Sequence, residues 1–256
     1  MAVHEKVSDA IRAANDAGRT AIVPFITAGY PDPKQFIETL RAVAGAGDVV
    51  ELGIPFSDPM ADGMTIQRSS FKAIEDGVTL QWVFEQLAAA EPKIATPLVM
   101  MSYLNPLLAY GYERLASDAR ENGVCAFIVP DLPYEESAEI RSVLESQGVG
   151  LIQLVTPATP PARLQTLADA SRGFLYAVTI TGITGGGEGL PSDLAGYLDG
   201  VAAVSQLPVC AGFGIRAASD VSNVGKHVAG AIVGSALVEV LERGEDPAEF
   251  LRLLQG

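Results

Sequence analysis

Residues Ala21–Leu52 read AIVPFITAGYPDPKQFIETLRAVAGAGDVVEL, one complete strand–helix–strand unit. Its first part, Ala21–Thr27, is an apolar run without polar alternation, the pattern of a parallel strand buried on both faces. Asp32-Pro33 follows, a capping carboxylate beside a proline at the first helical position. Phe36, Leu40, Val43 and Ala44 then recur at helical spacing, and Asp48–Leu52 begins the next apolar run. Further runs of the same kind are Pro97–Met101, Ala126–Val129, Gly150–Val155, Phe174–Val178, Pro208–Phe213 and Ala231–Gly234. Amphipathic stretches lie between them. Ile140, Val143 and Leu144 follow Glu135-Glu136, with Gly148 placed to end that helix, and Phe250, Leu251 and Leu254 follow Asp246-Pro247. A helix with Val3, Val7, Ala10, Ile11 and Ala14 on one face precedes the first run. Eight such units predict a closed (β/α)8 barrel of the TIM class with an extra N-terminal helix; an open doubly wound sheet is the other arrangement they allow. No linker or composition shift divides residues 1–256, so a single domain is expected.

Hydrophobic residues make up 48% of the chain and charged residues 19%, enough to fill one sizeable core and too apolar for a disordered chain. Acidic residues outnumber basic ones 31 to 17, a net charge of −14, with no basic stripe. Such a surface repels a phosphate backbone and argues against nucleic acid as a partner. A bound phosphate must therefore be held locally, by backbone amides. Cys125 and Cys210 sit in apolar stretches and read as buried thiols of a reducing compartment, a disulfide between strands being the other option. Met1–Asp16 alternates charge with apolar residues, unlike a signal peptide, and no segment approaches membrane-spanning length. A cytoplasmic location is expected.

In either fold, ligands meet the carboxyl ends of the strands. Two connections there are long: Gly53–Thr65 (GIPFSDPMADGMT) and the glycine-rich Thr179–Pro191 (TITGITGGGEGLP). Loops of this kind serve as lids or phosphate cradles, or are merely flexible. Gly212-Phe213-Gly214 follows the seventh run and Gly234-Ser235 the eighth, where glycines let N–H groups converge on an anion and a helix N-terminus adds its dipole. Gly212-x-Gly214-x-x-Ala217 also resembles a dinucleotide fingerprint, but such fingerprints usually open a nucleotide-binding half and this one arrives late. Glu51 ends the second run among Val49, Val50 and Leu52. Apolar walls destabilise its ionised form and raise its pKa into a range useful for proton transfer; a structural ion pair is the alternative. Asp62 lies in the loop that follows, able to reach back over the same mouth, whereas Ser57-Asp58-Pro59 reads as a turn.

His4 and His227 are far apart, which disfavours triads and histidine metal sites. None of Lys6, Lys34, Lys72, Lys93 or Lys226 ends a strand, which disfavours a Schiff base. Carboxylate acid–base chemistry on a phosphorylated substrate remains, with no metal expected.

The run Val50-Glu51-Leu52-Gly53-Ile54-Pro55-Phe56-Ser57-Asp58-Pro59-Met60-Ala61-Asp62-Gly63 resembles the signature of the tryptophan synthase α-subunit family. Val23–Thr27, Tyr103–Pro106, Asp131–Pro133, Gly182–Gly185, Gly212–Ile215 and Gly234–Ala236 are similar to further blocks of that family in the same order. The resemblance implies retro-aldol cleavage of indole-3-glycerol phosphate to indole and glyceraldehyde 3-phosphate. It implies Glu51 as the acid–base residue and Asp62 as the carboxylate on the indole N–H. Phe25, Met101, Tyr103, Ile128 and Phe213 are implied around the indole, Tyr176 as an active-site tyrosine, Gly212 as a further substrate-binding residue, Thr184 as a lid residue, and Gly185, Gly214, Gly234 and Ser235 around the phosphate. No cofactor is implied for this chain; pyridoxal phosphate would belong to a β subunit, met in an α–β–β–α complex through Pro55, Phe56, Ser57, Asp58, Pro59, Asn105, Pro106, Asp131, Leu132 and Pro133.

The chain departs from the family pattern at Met64, where proline is usual, and at Thr179-Ile180-Thr181 and Gly185-Gly186-Gly187 in the second long loop. Three other functions share parts of this pattern: a stand-alone lyase releasing free indole, a phosphosugar isomerase or epimerase on the same barrel, and a catalytically idle subunit that only activates a β partner.

Overall fold

The computed structural model describes residues 2–179, 192–212 and 214–256. The chain enters through α1 (Glu5–Asp16) and then alternates: β1 (Ala21–Thr27), α2 (Phe36–Ala44), β2 (Val50–Gly53), α3 (Met64–Glu75), α4 (Leu80–Ala89), β3 (Leu98–Met101), α5 (Leu104–Tyr110), α6 (Tyr112–Glu121) and β4 (Val124–Ile128). The second half adds α7 (Ala138–Ser146), β5 (Gly150–Val155), α8 (Pro161–Ala170), β6 (Leu175–Val178), α9 (Ser192–Val204), β7 (Val209–Gly212), α10 (Ala218–Val224), β8 (Gly230–Val233), α11 (Ser235–Glu242) and α12 (Pro247–Gln255). The eight strands close in sequence order, each parallel to its neighbours, with β8 pairing back onto β1. The barrel is therefore closed, and the open sheet is excluded.

Strand residues alternate between two cores, as the two-residue period requires. Ile22, Ile26, Val50, Leu52, Met100, Phe127, Leu175 and Val233 point outward into the layer shared with the helices. Val23, Val99, Ala126, Ile128, Ile152, Phe174, Cys210 and Ile232 fill the barrel interior. Val7, Ile11 and Ala14 of α1 join that interior cluster, so the extra helix plugs the end opposite the strand carboxyl termini. Both cysteines are free and buried, which removes the disulfide option. Among the described residues no helix is long and apolar enough to cross a membrane.

Local signals act mostly as anticipated, with shifts that have clear causes. Asp32 does cap, accepting the Lys34 N–H at 3.0 Å, but it opens a short 3-10 turn at Pro33–Gln35 before α2 begins. Asp246 caps α12 through the Ala248 N–H at 2.8 Å. Gly148 takes φ +73° just past α7, a conformation that spares it the Cβ clash other residues would meet. Asp48, expected in the second strand, instead precedes β2: its carboxylate accepts the Ile22 N–H at 2.8 Å and a forked contact from Arg19. It holds the turn into the strand from outside the ladder.

Candidate active site

Glu51 lies on β2 with its side chain inside the barrel, in register with Phe25 of β1 and Val99 of β3. It is only 1% exposed, and among the described residues its Oε2 finds no hydrogen-bond partner. An unpaired buried carboxylate is costly to ionise. Burial, and secondarily the charge of Asp62, push its pKa up to about 8. Among the described residues no cation pairs with it, so the structural ion pair finds no partner there.

Asp62 comes from the loop between β2 and α3. Tyr103, just before α5, donates its phenolic hydrogen to Asp62 Oδ2 at 3.1 Å and accepts the Ala61 N–H at 2.9 Å. Burial raises the Asp62 pKa, and the Tyr103 hydrogen bond opposes that shift. The two carboxylates thus sit in different environments, one bare and one hydrogen-bonded. Such a difference suits one for donating a proton and the other for remaining charged.

Both carboxylates line a cavity of 330 Å³ at the carboxyl ends of the strands, a volume typical of a small-ligand site. Its apolar wall holds Phe25, Met101, Leu154, Tyr176 and Ile232, and Ala61, Gly63 and Ile66 close the side below Asp62. The opposite end is formed by Gly212, Gly214, Gly234 and Ser235. Ser235 is the first residue of α11, so that helix turns its unpaired N–H groups and positive dipole end toward the cavity. No lysine or arginine stands among the described lining residues, so the groups they offer an anion there are backbone amides and the Ser235 hydroxyl. Gly212 also makes room for the wall: a Cβ on it would fall 2.6 Å from the Tyr176 hydroxyl.

Most of the expected site residues therefore converge. Tyr103 reaches the site through Asp62 and lies outside the cavity wall. Ile128 is fully buried in the barrel interior and is not among the described residues that line the cavity. Thr184, Gly185 and Phe213 lie outside the described residues, as does the second long loop beyond Thr179. Thr179 itself lines the cavity and donates to the Gly212 carbonyl at 3.2 Å. Sequence reasoning passed over Ile66, Pro130, Leu154, Val178 and Ile232. Leu154 and Ile232 follow inward-facing residues at the two-residue period, so counting alternation up β5 and β8 finds them. His4 and His227 stay away from the cavity, His227 pairing with Asp199 at 2.7 Å. Among the described residues no group of three or more His, Cys, Asp or Glu is placed to hold a metal.

The segments expected to meet a partner lie on the same end of the barrel. Asp131 Oδ1 accepts the Leu104 N–H at 2.9 Å, tying the Asn105-Pro106 segment to Asp131–Pro133. Phe56 stacks on Tyr103, ring centres 5.0 Å apart. Ser57, Asp58, Asn105, Asp131 and Pro133 are exposed. Pro55 and Pro59, expected to present surface, are buried.

A family model for the tryptophan synthase alpha chain matches residues 11–253. The chain belongs to that family. The tryptophan synthase alpha chain of Nitratidesulfovibrio vulgaris strain DP4 is 42% identical over 243 residues, covering 94% of this chain and 95% of the relative. That of Roseiflexus castenholzii is 41% identical over 259 residues, covering 98% and 99%. Among solved structures, tryptophan synthase from Mycobacterium tuberculosis superposes with a TM-score of 0.87 at 30% identity, covering 98% of each chain. The Legionella pneumophila strain Paris tryptophan synthase subunit alpha gives 0.86 at 31%, covering 98% of this chain and 95% of that one. The family's alpha reaction is lyase cleavage of indole-3-glycerol phosphate, a step of tryptophan biosynthesis. The alpha chain needs no cofactor of its own and works with a β subunit, to which pyridoxal phosphate belongs.

Proposed function

We propose that this chain cleaves indole-3-glycerol phosphate by carboxylate acid–base chemistry, with Glu51 moving the proton and Asp62 balancing the charge that appears. The observation that carries this reading is the pairing of a bare buried carboxyl with a hydrogen-bonded one across a single cavity. With its pKa raised to about 8, Glu51 is protonated at neutral pH and ready to donate. Its proton goes to C3 of the indole ring, and positive charge grows on the ring nitrogen. Asp62 accepts the ring N–H, and its interaction strengthens as that charge develops, which favours the transition state over the ground state. The Glu51 carboxylate then takes the proton of the hydroxyl on the glycerol carbon bonded to C3. The C–C bond breaks, its electron pair returns to the ring, and indole and glyceraldehyde 3-phosphate result. Glu51 ends as it began, protonated.

The apolar wall of Phe25, Met101, Leu154, Tyr176 and Ile232 suits the indole. The amides around Gly212, Gly214, Gly234 and Ser235 suit the phosphate, and Thr184, Gly185 and Phe213 complete the two subsites in this reading. The rim of Phe56, Ser57, Asp58, Asn105, Pro106, Asp131, Leu132 and Pro133, with the buried Pro55 and Pro59 behind it, is the surface offered to the β subunit in an α–β–β–α complex. A cytoplasmic location agrees with a biosynthetic enzyme and with two unpaired thiols.

Indole release by Glu51→Gln and Asp62→Asn tests the assignment. Loss of a general acid–base group costs about 10²–10⁴ in rate, so Glu51→Gln is expected to lose turnover at least that far while still binding glycerol phosphate. Near-normal turnover by folded Glu51→Gln overturns the mechanism, and a loss below about threefold in Asp62→Asn assigns that residue to structure.

A further inference from the structure

The crest of the loop that carries Asp62 has little packing to hold it. Met60 and Met64 are 93% and 82% exposed, Ala61 and Gly63 are exposed as well, and a Cβ on Gly63 would touch nothing. Its shape must therefore come from polar contacts. Within the crest, Asp62 N–H donates to the Pro59 carbonyl at 3.1 Å and Met60 N–H to the Asp58 carbonyl at 2.9 Å. From outside, Tyr103 takes the Ala61 N–H. The remaining tie comes from the other side. Gln67, in the first turns of α3, points its amide back past the helix start and donates Nε2 to the Asp62 carbonyl at 2.8 Å, with a longer contact of 3.4 Å to the Pro59 carbonyl. Among the described residues it is the one hydrogen-bond donor that the Asp62 carbonyl meets.

We propose that Gln67 is a positioning residue for the reaction: its amide, bonded to the Asp62 carbonyl, fixes where the Asp62 carboxylate stands over the cavity. The chemistry of the amide suits the task. A side-chain NH2 carries two hydrogens and can serve two carbonyls at once, which a hydroxyl cannot. Its own helix anchors it, through the Gln67 N–H to the Gly63 carbonyl at 3.0 Å. The carboxylate is thereby held between a phenol on its side chain and an amide on its backbone, each from an element of the rigid barrel shell. Gln67 does not line the cavity and acts only through Asp62. Misplacing a catalytic group by about an ångström can cost up to about 10²-fold in rate without weakening the binding of remote substrate groups.

This inference rests on the reading of Asp62 as the carboxylate facing the indole nitrogen, and the test separates the two. Gln67→Met keeps length and bulk without the donor; Gln67→Glu keeps the shape and sets an acceptor against two carbonyl oxygens. In the full chain, Gln67→Met is expected to lower kcat for indole release about tenfold and Gln67→Glu more. KM, and inhibition by glycerol 3-phosphate, should stay within about twofold of wild type in both, which also shows that the variants are folded. Should Gln67→Met not fold, Gln67→Glu read in the same assays decides. In an Asp62→Asn background, Gln67→Met should cost less than about threefold, since residues acting through one group are not additive. Wild-type kcat in Gln67→Glu, or a full tenfold loss added on top of Asp62→Asn, overturns the positioning role. Near-normal turnover by Asp62→Asn itself overturns the underlying reading instead.

Discussion

The Tyr103 hydroxyl donates to Asp62 Oδ2 at 3.1 Å and its own oxygen accepts the Ala61 N–H at 2.9 Å, so one side chain fixes both the carboxylate and the backbone before it. The ring is steadied in turn by Phe56, stacked against it at 5.0 Å. A residue whose sequence position suggested contact with substrate therefore holds the loop that carries Asp62.

Tyr103→Phe should keep the stacked ring and lose both hydrogen bonds. A hydrogen bond to a charged group is worth about 1.5–3 kcal/mol, so a fall in kcat of about tenfold or more is expected. The Tyr103 bond opposes the burial that raises the Asp62 pKa. Without it that pKa rises further, and the acidic limb of the pH–rate profile should move to higher pH. A wild-type profile in this variant would show that the bond is not made in the working enzyme.

Under the proposed mechanism, the burial of Glu51 links catalysis to stability. Its folded pKa of about 8 exceeds the unfolded value of 4.5. Below pH 4.5 both states are protonated and the group exerts no penalty. Between those values the unfolded state ionises first, so stability falls by about 1.4 kcal/mol per pH unit, and above about pH 8 the loss is complete. Glu51→Gln removes this dependence. Its melting temperature, measured from pH 5 to pH 8.5, should gain steadily on wild type, alongside the loss of turnover. A constant difference across that range would mean that Glu51 ionises freely in the folded protein.

The barrel and its site were legible in the sequence to different degrees. Strands buried on both faces leave apolar runs, and all eight strands overlap such runs, with ends displaced by at most two residues. Glu51 stood out because a carboxylate inside an apolar run has few structural reasons to be there. Residues that act through geometry left no comparable trace. Gln67 looks like any polar residue of an amphipathic helix, and Tyr103 like a wall aromatic, since their roles depend on which way a side chain turns at a loop crest. Pro55 and Pro59 misled in the other direction: proline marks a turn but does not say which side of it faces solvent. Met64 occupies the first position of α3, where proline's fixed φ would fit without loss of a needed N–H. The departure from the family pattern at that point thus leaves the helix start intact.

Gly212 should be intolerant of even one added methyl. Its Cβ would lie 2.6 Å from the Tyr176 hydroxyl and 3.2 Å from the ring, so the tyrosine must swing into the cavity. Gly212→Ala is expected to raise KM for the substrate about tenfold or more, with kcat less affected, because the intruding ring takes space from the ligand. Removing the hydroxyl relieves the closest contact, so Gly212→Ala/Tyr176→Phe should recover most of the lost kcat/KM relative to Tyr176→Phe alone. An equal loss in both backgrounds would place the defect in the phosphate-facing amides instead.

Asp131 accepts the Leu104 N–H at 2.9 Å, and this bond joins the segment after β4 to the start of α5, two of the three segments assigned to the β-facing surface. Asp131 is also exposed, with Pro133 beside it and Asn105 across the joint. Asp131→Ala therefore removes a surface charge and unhooks the two segments at once, whereas Asp131→Asn keeps an acceptor for the Leu104 N–H and loses only the charge. If the geometry of the joint matters for docking, Asp131→Ala should weaken association with a β subunit about tenfold and Asp131→Asn by less than about threefold. Exposed charge contributes mainly to encounter, so any effect of the Asn variant should shrink as salt is raised. Basal indole release without β should be close to wild type in both, because neither the carboxylate nor the Leu104 N–H lines the cavity. Hydrogen exchange supplies the structural check: the amides of Leu104 to Leu107 should lose protection in Asp131→Ala and regain it in excess β subunit. Equal affinity for β in wild type and Asp131→Ala, with binding demonstrated for both, would remove this part of the rim from the interface.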